Sequence, residues 1–267
     1  MATSNHIPER YTNRMLYFNE QVHTTHQFVI PYINRFLPIQ ANMRVLEIGC
    51  GEGGNLKPFI DMGCEVVGND INEEQIENAK IYLKEQCTHQ NFKLIARDIY
   101  QVDANEIGQF DLIFMRDVIE HIHDQKKFLG HLKQFLKPKG AIFFGFPPWY
   151  MPYGGHQQAS HNSFLPKMPY VHILPTPIYK GIMKMVKVSP ENIESLLEIK
   201  ETGISIERFR RIVAENGYKI WDESLYLINP NYEVKFNLKT RKQLGWISKM
   251  PFIRNFLTTC AYYIIGN

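Results

Sequence analysis

The amino-acid sequence predicts an α/β protein built on a doubly wound, mainly parallel β-sheet. Three observations lead to this fold class. Short β-branched runs alternate with segments of helical periodicity between residues 44 and 146, a glycine-rich turn follows the first run, and an acidic residue follows the second and the third. Strands that alternate with helices form a parallel sheet that carries helices on both faces.

The first predicted strand is Arg44–Ile48, a β-branched run that ends in glycines. A helix over residues 55–62 follows and stops at Gly63, which is a typical helix terminator. A second strand over residues 64–70 and a helix over residues 73–87 complete a βαβ unit. The alternation then continues with strands over 92–97 and 110–115, a helix over 126–136, a Lys-Pro-Lys-Gly turn at 137–140 and a strand over 141–146.

The rest of the chain divides around this core. Residues 1–43 have mixed helical patterning and are expected to form an N-terminal helical cap on the core of residues 44–146. Residues 147–204 are punctuated by prolines and are expected to form a lid or substrate insertion. Residues 205–267 are expected to return to the sheet, with a helix over 205–216, strands over 218–227 and 260–265, and an insertion over 229–257.

Composition narrows the function classes. Thirty Lys and Arg against 27 Asp and Glu leave a formal net charge of +3, so no nucleic-acid partner is expected. The 4 cysteines are widely spaced and form no CxxC pair, which argues against a zinc knuckle and fits a reducing compartment. A polar N-terminus and the lack of a run of about 18 to 20 apolar residues predict a cytoplasmic protein.

The glycine loop of residues 47–54 predicts a nucleotide-like cofactor, because backbone N–H groups converge where a strand meets a helix. Gly49, Gly51 and Gly54 also satisfy the GxGxxG pattern of dinucleotide enzymes, and Asp70 follows at the distance of a ribose-binding acid. The loop alone does not choose between these cofactors. Its carboxylates, Glu47 and Glu52, would repel a pyrophosphate but suit the ammonium and sulfonium of S-adenosylmethionine.

Several further motifs resemble the class I S-adenosylmethionine-dependent methyltransferases, and more narrowly the small-molecule group around the ubiquinone and menaquinone methylating enzymes (methyltransferase type 11/12). The likeness is carried by VLEIGCGEG at 45–53, VVGND at 66–70, RDI at 97–99, FDLIFMRDVIEHI at 110–122 and LKPKGAIF at 136–143. It covers residues 44–146 and, more weakly, 205–227. The resemblance implies a Rossmann-like sheet of seven strands, six parallel and the last antiparallel.

The resemblance also implies which residues bind S-adenosylmethionine, the Asp70 carboxylate holding the ribose and the Asp98 carboxylate the adenine amino group. The full cofactor-binding set lies at the ends of the first four strands and comprises Glu47, Gly49, Cys50, Gly51, Gly53, Asp70, Ile71, Asp98, Ile99, Arg116 and Asp117. S-adenosyl-L-homocysteine would be the product.

The acceptor side is expected where the fifth strand ends. His156 and His161 are candidate bases there, since a histidine can titrate near neutral pH, although a histidine that only stabilises its loop is the common alternative. Candidate substrate contacts are Trp149, Tyr150, Tyr153 and His121, with lid packing as the alternative for the aromatic residues. No metal is predicted, because His121 and His123 do not converge on a regular strand or helix.

The acceptor itself is expected to be a small, partly apolar or lipid-linked molecule, methylated on oxygen or nitrogen rather than carbon. Residues 179–187 interleave apolar residues with three lysines, which fits either a peripheral membrane contact or a solvated lid helix. Three other functions stay open: methylation of a macromolecule, nicotinamide oxidoreduction, and cofactor binding without catalysis.

Overall fold

The computed structural model describes residues 13–160, 162 and 164–267. Eight strands in this part of the chain form one sheet: β1 (Arg44–Ile48), β2 (Glu65–Asp70), β3 (Phe92–Ala96), β4 (Phe110–Arg116), β5 (Leu136–Phe146), β6 (Lys219–Ile228), β7 (Arg241–Lys242) and β8 (Cys260–Gly266). Their spatial order is β3-β2-β1-β4-β5-β8-β6-β7.

The predicted strand directions are confirmed. Strands β1 to β5 pair in parallel, and β8 runs antiparallel to both of its neighbours, β5 and β6, so that β6 is parallel to the first five. The sheet has one strand more than the predicted seven. The additional strand is β7, which pairs antiparallel with β6 through Arg241 and Lys242. Two charged residues carry no hydrophobic alternation, so a sequence pattern has nothing to detect there.

Strand β5 begins five residues earlier than predicted, and the predicted turn at residues 137–140 is wrong. These residues continue the strand, in a register irregularity where Phe110 pairs with Leu136 but Leu112 pairs with Ala141. Gly140 lies tight against β4, because a Cβ atom there would come within 2.9 Å of the Phe110 carbonyl oxygen. The Pro-Lys-Gly signal therefore marks a bulge instead of a chain reversal.

Helices cover both faces of the sheet. In chain order they are α1 (Arg14–Thr24), α2 (Ile30–Ile33), α3 (Leu56–Asp61), α4 (Glu73–Gln86), α5 (Ala104–Ile107), α6 (Gln125–Leu132), α7 (Thr176–Met185), α8 (Pro190–Thr202), α9 (Ile206–Glu215), α10 (Asn231–Phe236), α11 (Gly245–Ser248) and α12 (Ile253–Phe256). A π-helical turn, Thr25–Val29, joins α1 to α2. Within the described residues, no helix has the length and apolar character needed to cross a membrane.

Strand β4 shows how the two faces are built. Successive side chains of a strand point to opposite faces, and β4 is apolar on both. Ile113 and Met115 belong to the core that holds Phe128 of α6 and Phe209 of α9. Leu112 and Phe114 belong to the opposite core, which holds Phe18 of α1, Ile33 of α2 and Phe59 of α3. Helix α1 is therefore part of the main fold and lies beside the glycine loop.

Residues 147–204 contain a small apolar core of their own, consisting of Leu165, Val171, Tyr179, Met183, Val188, Ile193 and Leu196. Tyr179 and Met183 lie one helical turn apart on α7 and are completely buried, whereas Ile178 and Met185 of the same helix are 53% and 74% exposed. Helix α7 therefore packs one face into the insertion and presents two apolar side chains on another. The side chain of Trp149 also packs inside this insertion.

Candidate active site

A cavity of about 810 Å³ opens at the carboxyl ends of β1, β2, β3 and β4. Ligands of open α/β sheets bind at this edge, and the volume lies in the range of small-molecule sites. Residues from the four strand ends line it: Ile48, Gly49, Gly51, Glu52, Asn69, Asp70, Ile71, Asp98, Ile99, Tyr100, Arg116, Asp117 and Val118. The structure thus brings together most of the cofactor-binding residues expected from the sequence.

Two glycines of the loop form the cavity wall. Gly49 has φ +72° and Gly51 has φ +52°, a region that residues with a side chain seldom occupy. A Cβ atom on Gly49 would lie 2.4 Å from Cγ2 of Val118, whereas the nearest atom to a Cβ on Gly51 is Gln75 Oε1 at 3.3 Å. The wall is therefore bare backbone at both positions.

The other two glycines of the loop serve packing. A Cβ atom on Gly53 would lie 3.1 Å from Leu83, and one on Gly54 would lie 2.5 Å from the Phe18 carbonyl oxygen of α1. Cys50 is completely buried. Neither Gly53 nor Cys50 lines the cavity, although the sequence analysis assigned both to the cofactor.

Asp70 and Asp98 end their strands as expected and hold the turns that follow. Oδ2 of Asp70 accepts a hydrogen bond from the Gly51 amide (2.8 Å), and Oδ1 accepts one from the Asn72 amide (2.9 Å). Oδ1 of Asp98 accepts one from the Tyr100 amide (2.9 Å). These bonds tie the glycine loop to the end of β2. Ile71, next to Asp70, leaves 77% of its surface exposed at the cavity.

Glu47 occupies a different position from the expected one. It is completely buried and does not line the cavity; Asn55 Nδ2 donates to its Oε1 at 2.8 Å. Asn55 Oδ1 in turn accepts from Nη1 of Arg116 at 3.0 Å. Burial raises the pKa of Glu47 well above its usual range, against the opposing effects of Asn55 and Arg116. Glu47 therefore acts through Asn55 on Arg116, and the loop carboxylate at the cavity is Glu52.

Two histidines from distant parts of the chain meet at the cavity wall, to which His121 belongs and His156 does not. The ring of His121, on the cavity wall, lies 5.1 Å from the ring of His156, centroid to centroid. Burial lowers the pKa of His156 to about 4, and the charge of His121 adds to this effect. A base that titrates near neutral pH is therefore not found at His156, because its ring stays neutral at neutral pH and becomes protonated only towards pH 4.

Glu120 is a buried carboxyl group beside these histidines. It is 3% exposed, and neither of its carboxyl oxygens has a hydrogen-bond partner. One ligand atom from each of Glu120, His121 and His156 lies within 4.8 Å of the others, which is a donor set that could hold a metal ion. This set differs from the pair of His121 and His123 considered in the sequence. His123 Nε2 contacts Glu198 (3.1 Å), and the neighbouring Asp124 caps α6.

The aromatic residues after β5 pack within the fold instead of lining the cavity. Trp149 is 8% exposed and lies edge-on to His172, which bonds the Trp149 carbonyl oxygen through Nε2 at 2.8 Å. Tyr150 packs on Phe256, and Tyr153 is half-buried. None of the three is on the cavity wall, so lid packing describes Trp149 and Tyr150. His161 lies outside the described residues.

Three helices contribute cavity residues that the sequence did not reveal. Arg14, Tyr17 and Gln21 come from α1, Gln75 comes from α4, and Lys127 and Phe128 come from α6. These segments have only ordinary amphipathic spacing, which is equally typical of a helix packed on a sheet. No local signal distinguishes these residues from other helix positions.

Residues 18–162 match the family model described as a methyltransferase domain. A ubiquinone biosynthesis O-methyltransferase of Mesorhizobium japonicum is 36% identical over 102 residues, which are 38% of this chain and 39% of the relative. The mitochondrial ubiquinone biosynthesis O-methyltransferase of Homo sapiens is 29% identical over 204 residues, which are 72% of this chain and 50% of the relative. The chain thus spans about two fifths to one half of these relatives.

Solved structures share the fold at low sequence identity. Magnesium protoporphyrin IX methyltransferase from Synechocystis PCC 6803, with bound S-adenosylhomocysteine, has a TM-score of 0.52 and 14% identity, covering 92% of this chain and 82% of that one. Phosphoethanolamine N-methyltransferase 2 of Haemonchus contortus, with bound S-adenosylmethionine, has a TM-score of 0.55 and 16% identity, covering 100% of this chain and 60% of that one. At these identities the likeness concerns the Rossmann-like architecture.

Proposed function

The chain belongs to the methyltransferase-domain family, and from this premise we propose that it is an S-adenosylmethionine-dependent methyltransferase that methylates an oxygen of a small, partly apolar acceptor. The observation that carries the proposal is the bare wall formed by Gly49 and Gly51, which Asp70 ties to the end of β2. A wall without side chains lets a ligand approach the backbone closely, beside N–H groups that can bind it.

The residues of the cavity suit this cofactor. Asp70 and Asp98 offer carboxylate oxygens at two neighbouring strand ends, and Ile71, Ile99 and Phe128 offer apolar surface for a flat base. Glu52 lies on the cavity wall but is 2% exposed and pairs with Arg14 at 3.4 Å, so the choice of S-adenosylmethionine over a dinucleotide is supported by the methyltransferase-domain match and not by this charge. Bound S-adenosylmethionine supplies an electrophilic methyl group on a positively charged sulfur.

The chain's own task is to orient the acceptor and to manage one proton. Holding two reactants at near-contact distance can contribute roughly 7–11 kcal/mol to lowering the barrier, so positioning is the main term. A hydroxyl acceptor must lose its proton. His121 lines the cavity and His156 does not, so the proton would pass first to a ring nitrogen of His121, whose other nitrogen would release a proton to the neutral ring of His156. His121 is therefore the histidine suited to contact the acceptor.

The acceptor class rests on two supports. The relatives include ubiquinone biosynthesis O-methyltransferases, whose names specify oxygen methylation. The cavity wall also carries apolar side chains next to His121, those of Val118 and Ile122, which suit a partly apolar acceptor. We therefore propose a phenolic or enolic hydroxyl on a molecule with an apolar substituent.

Calorimetric titration with S-adenosylmethionine, S-adenosylhomocysteine and NAD tests the cofactor assignment. We expect both sulfur compounds to bind and NAD not to bind. Gly51→Arg is expected to abolish binding, because it fills the close-approach position. Gly181→Arg is the matched control, since a Cβ at Gly181 on α7 meets nothing within 4 Å. Retained affinity in Gly51→Arg would refute the placement of the cofactor.

Turnover is tested separately, because binding and transfer are distinct properties. S-adenosylhomocysteine release is measured over a panel of hydroxylated aromatic molecules with and without alkyl chains, together with RNA and protein acceptors. We expect release only with small hydroxylated acceptors, and more of it with those that carry alkyl chains. Binding without release from any of them would favour a non-catalytic protein.

A further inference from the structure

Residues 235–257, here called the basic-apolar segment, carry an unusual amount of exposed apolar surface. Nine large apolar side chains of this segment are exposed: Phe236, Leu238, Leu244, Trp246, Met250, Phe252, Ile253, Phe256 and Leu257. Phe252 and Trp246 are 69% and 65% exposed. Exposed apolar side chains at this density along one segment point to an interaction site in a folded protein.

Three uncharged or paired polar residues of the same segment face the interior, whereas four of its basic residues stay exposed. Gln243, Arg254 and Asn255 are all under 9% exposed. Arg254 and Asn255 both donate to the carboxylate of Glu207 on α9, and Gln243 Nε2 donates to the Leu257 carbonyl oxygen at 2.6 Å. These hydrogen bonds fix the backbone of residues 243–257, from which the apolar side chains project outward.

The backbone at Phe252 supports the same reading. Phe252 has φ +65°, a conformation that costs a bulky residue free energy, and its amide donates to Glu207 Oε1 at 2.9 Å. The strained residue is also the most exposed aromatic side chain of the segment. This strained backbone turns the Phe252 ring outward. Such an orientation makes sense if the ring enters an apolar environment outside the protein.

The charges of the segment identify that environment. Lys239, Arg241, Lys242 and Lys249 are exposed, and no Asp or Glu lies between residues 235 and 257. Aromatic and aliphatic side chains interspersed with lysine and arginine suit the interface of an anionic bilayer, where each basic residue adds about 1 kcal/mol of attraction. A symmetric pair of two copies would place these like charges against each other, which opposes dimerisation through this surface.

The segment begins close to the cavity. It starts on α10, whose Asn231 accepts a hydrogen bond from Thr24 of α1 at 3.2 Å, and α1 supplies Arg14, Tyr17 and Gln21 to the cavity wall. We propose that the basic-apolar segment docks the protein on the surface of an anionic lipid bilayer, so that an acceptor dissolved in the membrane reaches the cavity without crossing bulk water. The second part of this proposal rests on the proposed function; the docking itself does not.

Co-sedimentation of the full chain with vesicles tests the docking. We expect binding to phosphatidylglycerol–phosphatidylcholine vesicles, weaker binding to pure phosphatidylcholine, and a loss of the difference at high salt. Trp246→Ser combined with Phe252→Asn, which tolerates the positive φ, should weaken partitioning at least about tenfold. Lys239→Gln, Arg241→Gln and Lys249→Gln together should weaken it about tenfold or more at low salt.

The matched control is Ile81→Ser combined with Lys84→Gln on α4, which removes an exposed apolar side chain (Ile81, 53% exposed) and a basic one outside the segment. This variant should bind vesicles as the wild type does. Equal binding by all variants, or no binding by the wild type, would overturn the docking. So would concentration-dependent dimers in ultracentrifugation that Trp246→Ser dissolves. Titration of the same samples with S-adenosylmethionine keeps the two proposals apart. If the wild type does not bind S-adenosylmethionine, the proposed function is refuted, whatever the vesicle experiment shows.

Discussion

The imidazole ring of His121 meets the ring of His156 at an interplanar angle of 62°, with their centroids 5.1 Å apart. His121 comes from the turn that follows β4, and His156 comes from the segment after β5. Their contact connects the wall of the cavity to the start of the lid insertion. It also gives the candidate base a neighbour of the same type, whose protonation would oppose its own.

We expect His156→Gln to lower kcat by about 10² to 10⁴-fold if His156 accepts the acceptor's proton. Because the pKa of His156 is lowered to about 4, its base form predominates at higher pH, so activity should fall only as the pH drops towards 4. A kcat/KM profile between pH 3.5 and 8 measures this, with His89→Gln as an exposed control. Added chelator should leave the rate unchanged. A chelator-sensitive rate that a divalent ion restores would instead assign Glu120, His121 and His156 to a metal.

Gly49→Ala should weaken S-adenosylmethionine binding more than Gly51→Ala does. The new methyl group at position 49 would press on Val118 at 2.4 Å, whereas at position 51 it would meet only the flexible end of Gln75 at 3.3 Å. Both changes also strain a positive-φ backbone, which costs about 1–2 kcal/mol. Calorimetry and urea unfolding measure the two effects. Val118→Ala should recover part of the Gly49→Ala affinity; no recovery would contradict the steric account.

Asp70→Ala should lower the affinity for S-adenosylmethionine by about ten to a hundredfold, which corresponds to one or two charge-assisted hydrogen bonds. The change also frees the Gly51 amide, which Asp70 holds at 2.8 Å. Asp103→Ala is the matched control, because Asp103 caps α5 through the Asn105 amide at 2.8 Å and does not line the cavity. Equal losses of affinity in both variants would indicate a general structural effect.

Acid should destabilise the lid insertion through His172. Its Nε2 bonds the Trp149 carbonyl oxygen, its Nδ1 faces Gln157 Nε2 at 3.2 Å, and burial lowers its pKa to about 4. An unfolded histidine takes up its proton near pH 6.5, so the unfolding free energy should fall as pH drops from about 6.5 to about 4. The slope from this group is at most about 1.4 kcal/mol per pH unit.

Urea unfolding of the wild type and of His172→Gln between pH 7 and pH 4.5 measures this slope. We expect a shallower pH dependence in the variant, which lacks the titrating ring. Parallel curves for the two proteins would show that His172 does not contribute. His156 has a similarly lowered pKa, so part of the slope should persist in the His172 variant.

Local patterns predicted the sheet well, because each of the strands β1 to β4 is an apolar run bounded by its own turn or helix signals. The cavity residues Gly49, Gly51, Asp70 and Asp98 follow those strands directly, so finding the strands also located the residues. Strand β5 was predicted only in part, since a Pro-Lys-Gly sequence looks the same in a turn and in a bulge that β4 supports.

Long-range contacts explain what the sequence did not reveal. Nothing near Glu47 indicates that Asn55 would cover it, or that the lid would bring His156 to His121. Trp149 was predicted to contact the substrate because aromatic residues that follow a strand often line a cleft. The same pattern also fits an aromatic residue packed inside the fold. Burial decides between the two, and burial depends on the whole fold. The exposure of so many apolar side chains in residues 235–257 has no periodic signature for the same reason.

The position of β8 affects how the protein is made. All seven residues of β8 are buried, and the strand lies between β5 and β6. During synthesis, the β5 edge therefore has no partner until residues 260–266 have left the ribosome. Until then, exposed strand edges are open to pairing with other nascent chains. Substitutions that weaken β8 should therefore lower the yield of soluble protein from cells, even where the molecules that do fold keep most of their free energy of unfolding.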